Sequence, residues 1–452
     1  MTRWFVKILT VSFFAIIFHF SSDAQLECRS MIGAYIKPVS DSSHFSWGAE
    51  LTLAPGAMKD RFIFNSLAIG GLEYSSFNFK HKAYFEGVAK YWYNSAPGPG
   101  LDGTGTGYAD FTKPGKQHFG IRELFYQYND WLSVKTGIQS LKSPEYFLID
   151  ERVLGINAHK TAGAFAFDLQ TGTVFKDIAR MQDVCGTRHL YNLVRGGKIS
   201  FVGDDPGDSN FALAAITWSP DKKQKSPSEE ATDEFQEFDE FESAGDEFQE
   251  FGNEEFTSLD ETKKSLFKLD QAGIIFYEEF GSVFHDYKYY GGAFASFDFP
   301  GGLSLKGEVV QQVARDANAT FYLANLSKQA SWDNGGLTDA DVQVLGFIEQ
   351  DDDIQFYPSF SNLFMGEIMR LDAMHSPLLS ASVKHQFPLK NKLHLKLDYV
   401  RQLGKDFTQE VDFMAGMKIH KHAKLTSMLG YVSSDLLTEG NFLTRIELRI
   451  AF

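Results

Sequence analysis

The chain has 452 residues, 43% of them hydrophobic and 15% aromatic, and a formal net charge of −16. Its 43 Phe, 18 Tyr and 6 Trp exclude a wholly disordered polymer, which is poor in aromatics. Beyond the N-terminus no apolar run reaches the roughly 18–20 residues of a membrane helix, which excludes a polytopic helical protein; the acidic balance argues against nucleic acid as a partner, since phosphate binding rests on clustered Lys and Arg.

In chain order, residues 1–24 come first. Arg3 and Lys7 form a short basic region, Ile8 to Phe20 is apolar, and Ser22-Asp23-Ala24 supplies small residues before Gln25. This is the pattern of a secretory signal peptide, so 25–452 is expected to be the mature, exported chain. Gln25-Leu26-Glu27 lacks the small residues that precede a lipidated Cys. Cys28 and Cys185 are the only cysteines; outside the cytoplasm they can form one disulfide or stay as two buried thiols, and the sequence leaves both open.

From there the chain reads as many short alternating strands. Leu132, Val134, Thr136 and Ile138 oppose Ser133, Lys135 and Gly137; Leu303, Leu305, Gly307 and Val309 oppose Ser304, Lys306 and Glu308. Leu393, Leu395, Leu397 and Tyr399 alternate with His394, Lys396 and Asp398, and Ile446, Leu448, Ile450 and Phe452 with Arg445, Glu447 and Arg449. A period of two gives one apolar and one polar face. A soluble sandwich shares that pattern, but charges of both signs in mid-strand suit a wet lumen. Aromatic groups such as Tyr91-Trp92-Tyr93, Tyr126-Gln127-Tyr128 and Tyr287 to Tyr290 suit interfacial girdles. The final strand, Arg445-Ile-Glu-Leu-Arg-Ile-Ala-Phe452, resembles the C-terminal signal of bacterial outer-membrane proteins.

The expected fold is therefore all-β, a transmembrane antiparallel β-barrel of about 16–18 strands in the bacterial outer membrane, wide enough for an aqueous channel. Strands are predicted near 28–37, 45–54, 61–69, 71–80, 83–93, 119–128, 131–139, 162–169, 191–202, 209–219, 268–280, 287–298, 301–313, 377–387, 391–401, 410–419, 423–432 and 443–452. Phe299-Pro300-Gly301-Gly302 and Phe387 to Asn391 read as tight periplasmic turns.

Two insertions stand apart. Residues 220–265 contain Asp-Glu-Phe-Gln-Glu-Phe twice, at 233–238 and 246–251, and carry net −12 between 221 and 263. Such a segment repels itself and buries too little apolar area to fold alone. The bland reading is a solvated disordered loop. The sharper one is a docking tract in which Phe235, Phe238, Phe241, Phe248, Phe251 and Phe256 anchor onto a protein partner while carboxylates steer the approach. The sequence leaves open which side of the membrane it faces. Residues 314–376 form a second, long loop with Asn334-Gly335-Gly336 and a triple Asp at 351–353, expected to fold inward from outside. Isolated acids of this kind define no metal site, and no cofactor is expected.

The stretch Ile121-Arg-Glu-Leu-Phe-Tyr-Gln-Tyr128, then Leu132-Ser-Val-Lys-Thr-Gly-Ile-Gln139, then Leu148-Ile-Asp-Glu-Arg-Val-Leu-Gly155, is similar to the alginate-export family of outer-membrane porins. So is Phe356-Tyr-Pro-Ser-Phe-Ser-Asn-Leu-Phe-Met-Gly366, with Asp372 following. The resemblance covers about a fifth of the chain, and Ile138 stands where that family has Arg. It implies an 18-stranded channel with a basic constriction for an anionic polysaccharide, and makes Arg122, Lys135 and Arg152 the candidate channel-lining residues. Segment 113–200 carries net +4, which suits anions if those charges face inward. Catalysis is not expected, since the His are scattered and no Gly-x-Ser-x-Gly elbow or Cys/His zinc spacing is present. The sequence thus points to a porin-like channel for hydrophilic solutes, with recruitment through the Phe/acid tract as the alternative.

Overall fold

A strand whose one face meets hydrocarbon and whose other meets the barrel interior needs no soluble core, so a period of two suffices to sort its side chains. The computed structural model describes residues 37–38, 44–58, 61–76, 80–94, 115–143, 148–174, 209–220, 267–281, 288–314, 317–332, 335–349, 364–365, 371–372, 377–404, 408–420, 422–435 and 441–451. Within them run eighteen long strands: β1 Phe45–Met58, β2 Arg61–Ser75, β3 His81–Asn94, β4 Gly115–Asn129, β5 Ser133–Lys142, β6 Asp150–Ala162, β7 Phe165–Val174, β8 Ser209–Trp218 and β9 Lys268–Gly281. Then come β10 Lys288–Phe299, β11 Leu303–Ala314, β12 Ala317–Ser331, β13 Leu337–Glu349, β14 Leu378–Gln386, β15 His394–Gln402, β16 Thr408–His420, β17 Ala423–Ser434 and β18 Asn441–Ala451. Each pairs antiparallel with the next, and β1 pairs with β18 from Glu50↔Ala451 to Met58↔Leu443. The sheet therefore closes, and the fold is an 18-stranded all-β barrel.

Several strands differ from the sequence expectation. The predicted strands 61–69 and 71–80 are one strand, β2, because Gly70-Gly71 continues the ladder opposite Ala49 and Gly48 rather than turning. Residues 150–161, outside the predicted strands, form most of β6. Inside the span read as one loop, 314–376, lie β12 and β13; their mixture of Asn, Ser, Gln and Asp with small outward residues such as Ala324 and Ala340 weakens the hydrophobic alternation. The remaining connection, 350–377, holds a two-residue ribbon in which Phe364–Met365 pairs with Leu371–Asp372. Of the expected strand 28–37, only the Lys37–Pro38 bridge to Trp47 and Ser46 is described. Residues 1–24, the strand at 191–202, the tract 221–265, Cys28 and Cys185 lie outside the described residues.

The outward positions form an apolar belt. Leu72, Phe85, Leu154, Leu169, Ile274, Val309, Val383, Phe413 and Leu429 all keep large exposed surfaces, which in a bilayer meet acyl chains. Exposed rings mark the ends of the belt, with Phe45, Trp47, Tyr74, Tyr126, Trp131 and Trp332 at one end and Phe62, Tyr289 and Phe442 at the other. Tyr290, expected in a girdle, points inward and is fully buried.

The connections differ by end. At the end where β18 finishes, residues 130–132, 163–164, 300–302 and 421–422 join neighbouring strands tightly. The turn at 300–302 requires Gly301 and Gly302 at φ 83° and 73°, and a Cβ on Gly302 would lie 2.5 Å from the Gln329 carbonyl oxygen. The opposite end carries the long connections 95–114, 175–208 and 350–377 as well as the short ones 59–60 and 315–316, while the first end also carries the longest, 219–267. Short periplasmic turns and long extracellular loops are the rule in outer-membrane barrels, so the first end is periplasmic. Trp218 ends β8 and Lys268 begins β9 at that same end, so the connection 219–267, with its acidic tract, leaves from the periplasmic rim.

Candidate functional site in the barrel interior

Three stretches of wall line the interior, each with its own chemistry. On β2 to β7, several inward charges lie in pairs of opposite sign. Lys82 Nζ lies 2.7 Å from Glu73 Oε2, and His159 Nδ1 lies 2.7 Å from Asp168 Oδ1. Arg122 Nη1 donates to Glu86 Oε1 at 2.8 Å, with side chains 2% and 0% exposed, and Tyr84 Oη donates to the other Glu86 oxygen at 2.7 Å. A bulge creates this arrangement. Glu86 pairs with Glu123 and Gly87 with Ile121, so Arg122 is the extra residue between them. Arg122 and Glu123 are therefore both buried, while Ile121 and Leu124 on either side are exposed. Lys135 on β5 sits with its ammonium 4.0 Å from the centre of the Phe125 ring, a cation–π contact on an inward face.

The wall on β8 to β13 combines buried rings and aliphatic side chains with buried charge, Lys288 Nζ lying 3.6 Å from Glu279 Oε2 and Glu308 being 2% exposed. Phe211, Tyr277, Tyr290, Val310, Phe321 and Leu345 point inward and are all fully buried. Tyr277 bridges the other two rings, with centroids 6.2 Å from Phe211 and 5.4 Å from Tyr290. Apolar side chains facing an open aqueous pore would keep exposed surface, so this part of the interior is packed, as it is around Val400, Met414, Met428 and Val432 on β15 to β17, which are also buried. Leu148 and Ile149, in the extracellular connection 143–149, are equally buried. Ser143 pins that connection by donating its N–H to the Ile149 carbonyl and accepting the Leu148 N–H.

The third wall, on β13 to β18, is charged and balanced. Its inward residues include the acids Asp339, Asp341, Asp398, Glu410, Asp412 and Glu447 and the bases Lys384, Lys396, Lys418, Lys424, Arg445 and Arg449. The register sorts them by sign. One row across the strands runs Asp341, Ser382, Asp398, Asp412. The row two residues nearer the periplasm runs Asp339, Lys384, Lys396, Met414, Met428, Arg445. Nearer the rim, Lys418 pairs with Lys424 and Lys424 with Arg449. Opposite charges meet mainly along single strands: Lys396 Nζ lies 3.1 Å from Asp398 Oδ2, and Arg449 Nε lies 2.8 Å from Glu447 Oε1. Among the described residues no group of three or more acids, His or Cys is arranged to hold a metal ion.

No family model and no curated protein matches the chain. Solved structures do. A double variant of OccD1 (OprD) aligns at TM-score 0.50 and 8% identity over 93% of this chain and 98% of its own. OpdL of Pseudomonas aeruginosa aligns at 0.49 and 11% over 90% and 98%. The outer-membrane protein opdK of Pseudomonas aeruginosa aligns at 0.48 and 10% over 90% and 98%. At these identities the likeness concerns fold, and the first match carries it. The fold is that of an outer-membrane porin barrel. With its apolar outer belt, the chain is a bacterial outer-membrane protein.

The candidates from sequence fall out as follows. Arg122 and Lys135 both face inward, on neighbouring strands, and Arg122 is sealed by Glu86. Arg152 lies on β6 opposite Ser140, with its side chain outside the described residues. Phe235, Phe238, Phe241, Phe248, Phe251 and Phe256 are likewise outside them. Lys384, Lys396, Asp398, Asp412 and Arg445 were not singled out from sequence. Alternation marks some of them as lumenal, but their grouping by sign depends on a register that no single strand displays.

Proposed function

We propose that the protein is a porin-like channel that lets hydrophilic solutes cross the outer membrane along the charged wall of β13 to β18. The observation that carries this reading is the closed 18-stranded barrel whose inner face on β13 to β18 is lined with charged residues of both signs. A purely structural barrel has no need of twelve inward charges on six strands, since burying charge is costly unless water or a partner compensates. The anionic saccharide implied by the alginate-export resemblance finds partners in Lys418, Lys424 and Arg449, but it would also meet the row of Asp341, Asp398 and Asp412. The geometry therefore supports passage of hydrophilic solutes in general more strongly than anion preference. Single-channel recording of the refolded protein in a planar bilayer tests it: discrete KCl conductance steps are expected, and their absence overturns the reading.

A second reading is recruitment through 233–256. It is favoured by the placement of the 219–267 connection at the periplasmic rim, which would put a periplasmic protein within reach. A barrel without conductance that gains none when 220–265 is deleted, yet retains a periplasmic partner only with the tract present, would establish recruitment instead.

A further inference from the structure

We infer that a basic sector of the periplasmic mouth is a docking surface for the chain's own acidic segment, 229–261. Within four residues of their periplasmic ends, β14 to β18 each turn one base inward: Lys384, Lys396, Lys418, Lys424 and Arg449. The inward acids at this depth are Asp398 and Glu447, which lie 3.1 Å from Lys396 Nζ and 2.8 Å from Arg449 Nε. Five bases against two acids leave the sector positive. The turn between β14 and β15 adds the exposed Lys390 on the same rim. Elsewhere around the mouth no such run occurs among the described residues. Lys82 pairs with Glu73, His159 with Asp168, and Lys306 shares its sector with Asp298 and Asp339. Lys396 and Arg449 keep 23% and 15% side-chain exposure, and Lys384, Lys418 and Lys424 are half-buried, so the sector is reachable from the mouth.

The segment 229–261 supplies the complement. It holds fifteen acids and no Lys or Arg. The connection that carries it is anchored at Trp218 and Lys268, at the same end of the barrel and across the mouth from β17. Strands about 4.8 Å apart and tilted by about 40° give an 18-stranded mouth roughly 36 Å across. The stretch from Trp218 to Phe235 alone spans up to about 55 Å when extended, so the carboxylates reach the basic sector from either anchor. A tether of this kind holds them at an effective concentration in the mM range, which suffices for a weak electrostatic surface. Both sides gain from the contact. Fifteen acids in one segment repel each other, and Lys384 faces Lys396, Lys418 faces Lys424 and Lys424 faces Arg449 across the sheet, where like charges destabilise the pairing. Carboxylates laid over these bases relieve both.

The test uses the full-length refolded protein and a water-soluble carbodiimide, which couples a carboxylate to an amine only where the two touch. At about 0.01 M salt, where the screening length is roughly 30 Å, carboxylates of 229–261 are expected to couple to Lys384, Lys396, Lys418 and Lys424 several-fold more often than to Lys80 or Lys306 at the same end, read by peptide mapping. At about 1 M salt, with a screening length of roughly 3 Å, that preference should vanish. A mixture of isotopically light and heavy chains should give links within one chain. In Lys418→Gln/Lys424→Gln, with folding checked by heat-modifiable migration on gels, links to Lys384 and Lys396 should fall several-fold, and the wild-type comparison needs no variant. Links spread evenly over the lysines of this end, or a preference that salt does not move, overturn the docking. Links found only between light and heavy chains overturn it too, and assign the surface to contacts between copies.

Discussion

Arg122 shows how much one residue can decide inside a barrel. Its guanidinium and the Glu86 carboxylate are both withdrawn from water, so removing one partner strands a buried charge on the other. Arg122→Ala should cost about 3–5 kcal/mol of barrel stability in a urea titration, and adding Glu86→Gln should recover most of it. A double variant no more stable than the single would contradict the pairing. The role of Arg122 was only half legible. Strict alternation from Ile121 predicts that Arg122 and Leu124 share a face and that Glu123 opposes them. The bulge breaks that alternation, and two adjacent polar residues give no sign of it. At the periplasmic rim, Lys80 and Tyr128 both donate to Asp130 Oδ2, at 2.8 and 3.0 Å, and these bonds hold the Asp130 carboxyl below its usual range. The contribution of a lowered carboxyl is complete above its unfolded pKa of about 3.9 and disappears as pH falls through the lower folded value. Lys80 is raised, chiefly by the same hydrogen bond, so the contact also persists through neutral pH and loosens only as pH rises beyond the ordinary lysine range. Fluorescence of the adjacent Trp131 should stay flat around neutrality and change in strong acid, and Asp130→Asn should abolish the acid change.

At the scale of elements, turns with special backbone needs were readable and register was not. Phe299-Pro300-Gly301-Gly302 announced its turn because only glycine takes left-handed φ at no steric cost. Gly137 carried no such mark. It sits within β5 at φ 126°, and a Cβ there would lie 2.3 Å from the Leu124 carbonyl oxygen on β4. Gly137→Ala should therefore weaken the β4–β5 pairing by about 1–3 kcal/mol or more, seen as a lower urea midpoint, whereas Gly70→Ala, which meets nothing within 4 Å, should leave it nearly unchanged. Equal effects at the two sites would remove the steric argument. β12 and β13 fall within a span read as a loop because polar inward residues and small outward ones dilute the larger lipid-facing residues Leu326, Val342 and Ile348. Asn325, Ser327, Asp341 and Gln343 against Ala324 and Ala340 satisfy a barrel while looking like a loop.

For the whole molecule, closure between β1 and β18 fixes which connections share an end, and that decides what the sequence left open. Trp218 and Lys268, which flank the connection holding the Phe/acid tract, lie at the end where β18 finishes, so the tract is expected on the periplasmic side. Protease added to intact cells should leave 221–265 uncut and should cleave it once the outer membrane is permeabilised; cleavage on intact cells would overturn the topology. The same placement bears on how the barrel is made. Strands entering the outer membrane from within must drag every surface-exposed connection through hydrocarbon, while connections at the inner rim never make that journey. Moving even one ionised side chain to the middle of a bilayer costs several kcal/mol, and the tract carries sixteen acids and four bases between 221 and 263. With β8 and β9 meeting the inner rim at Trp218 and Lys268, the most charged segment of the protein is among those that insertion is not expected to move.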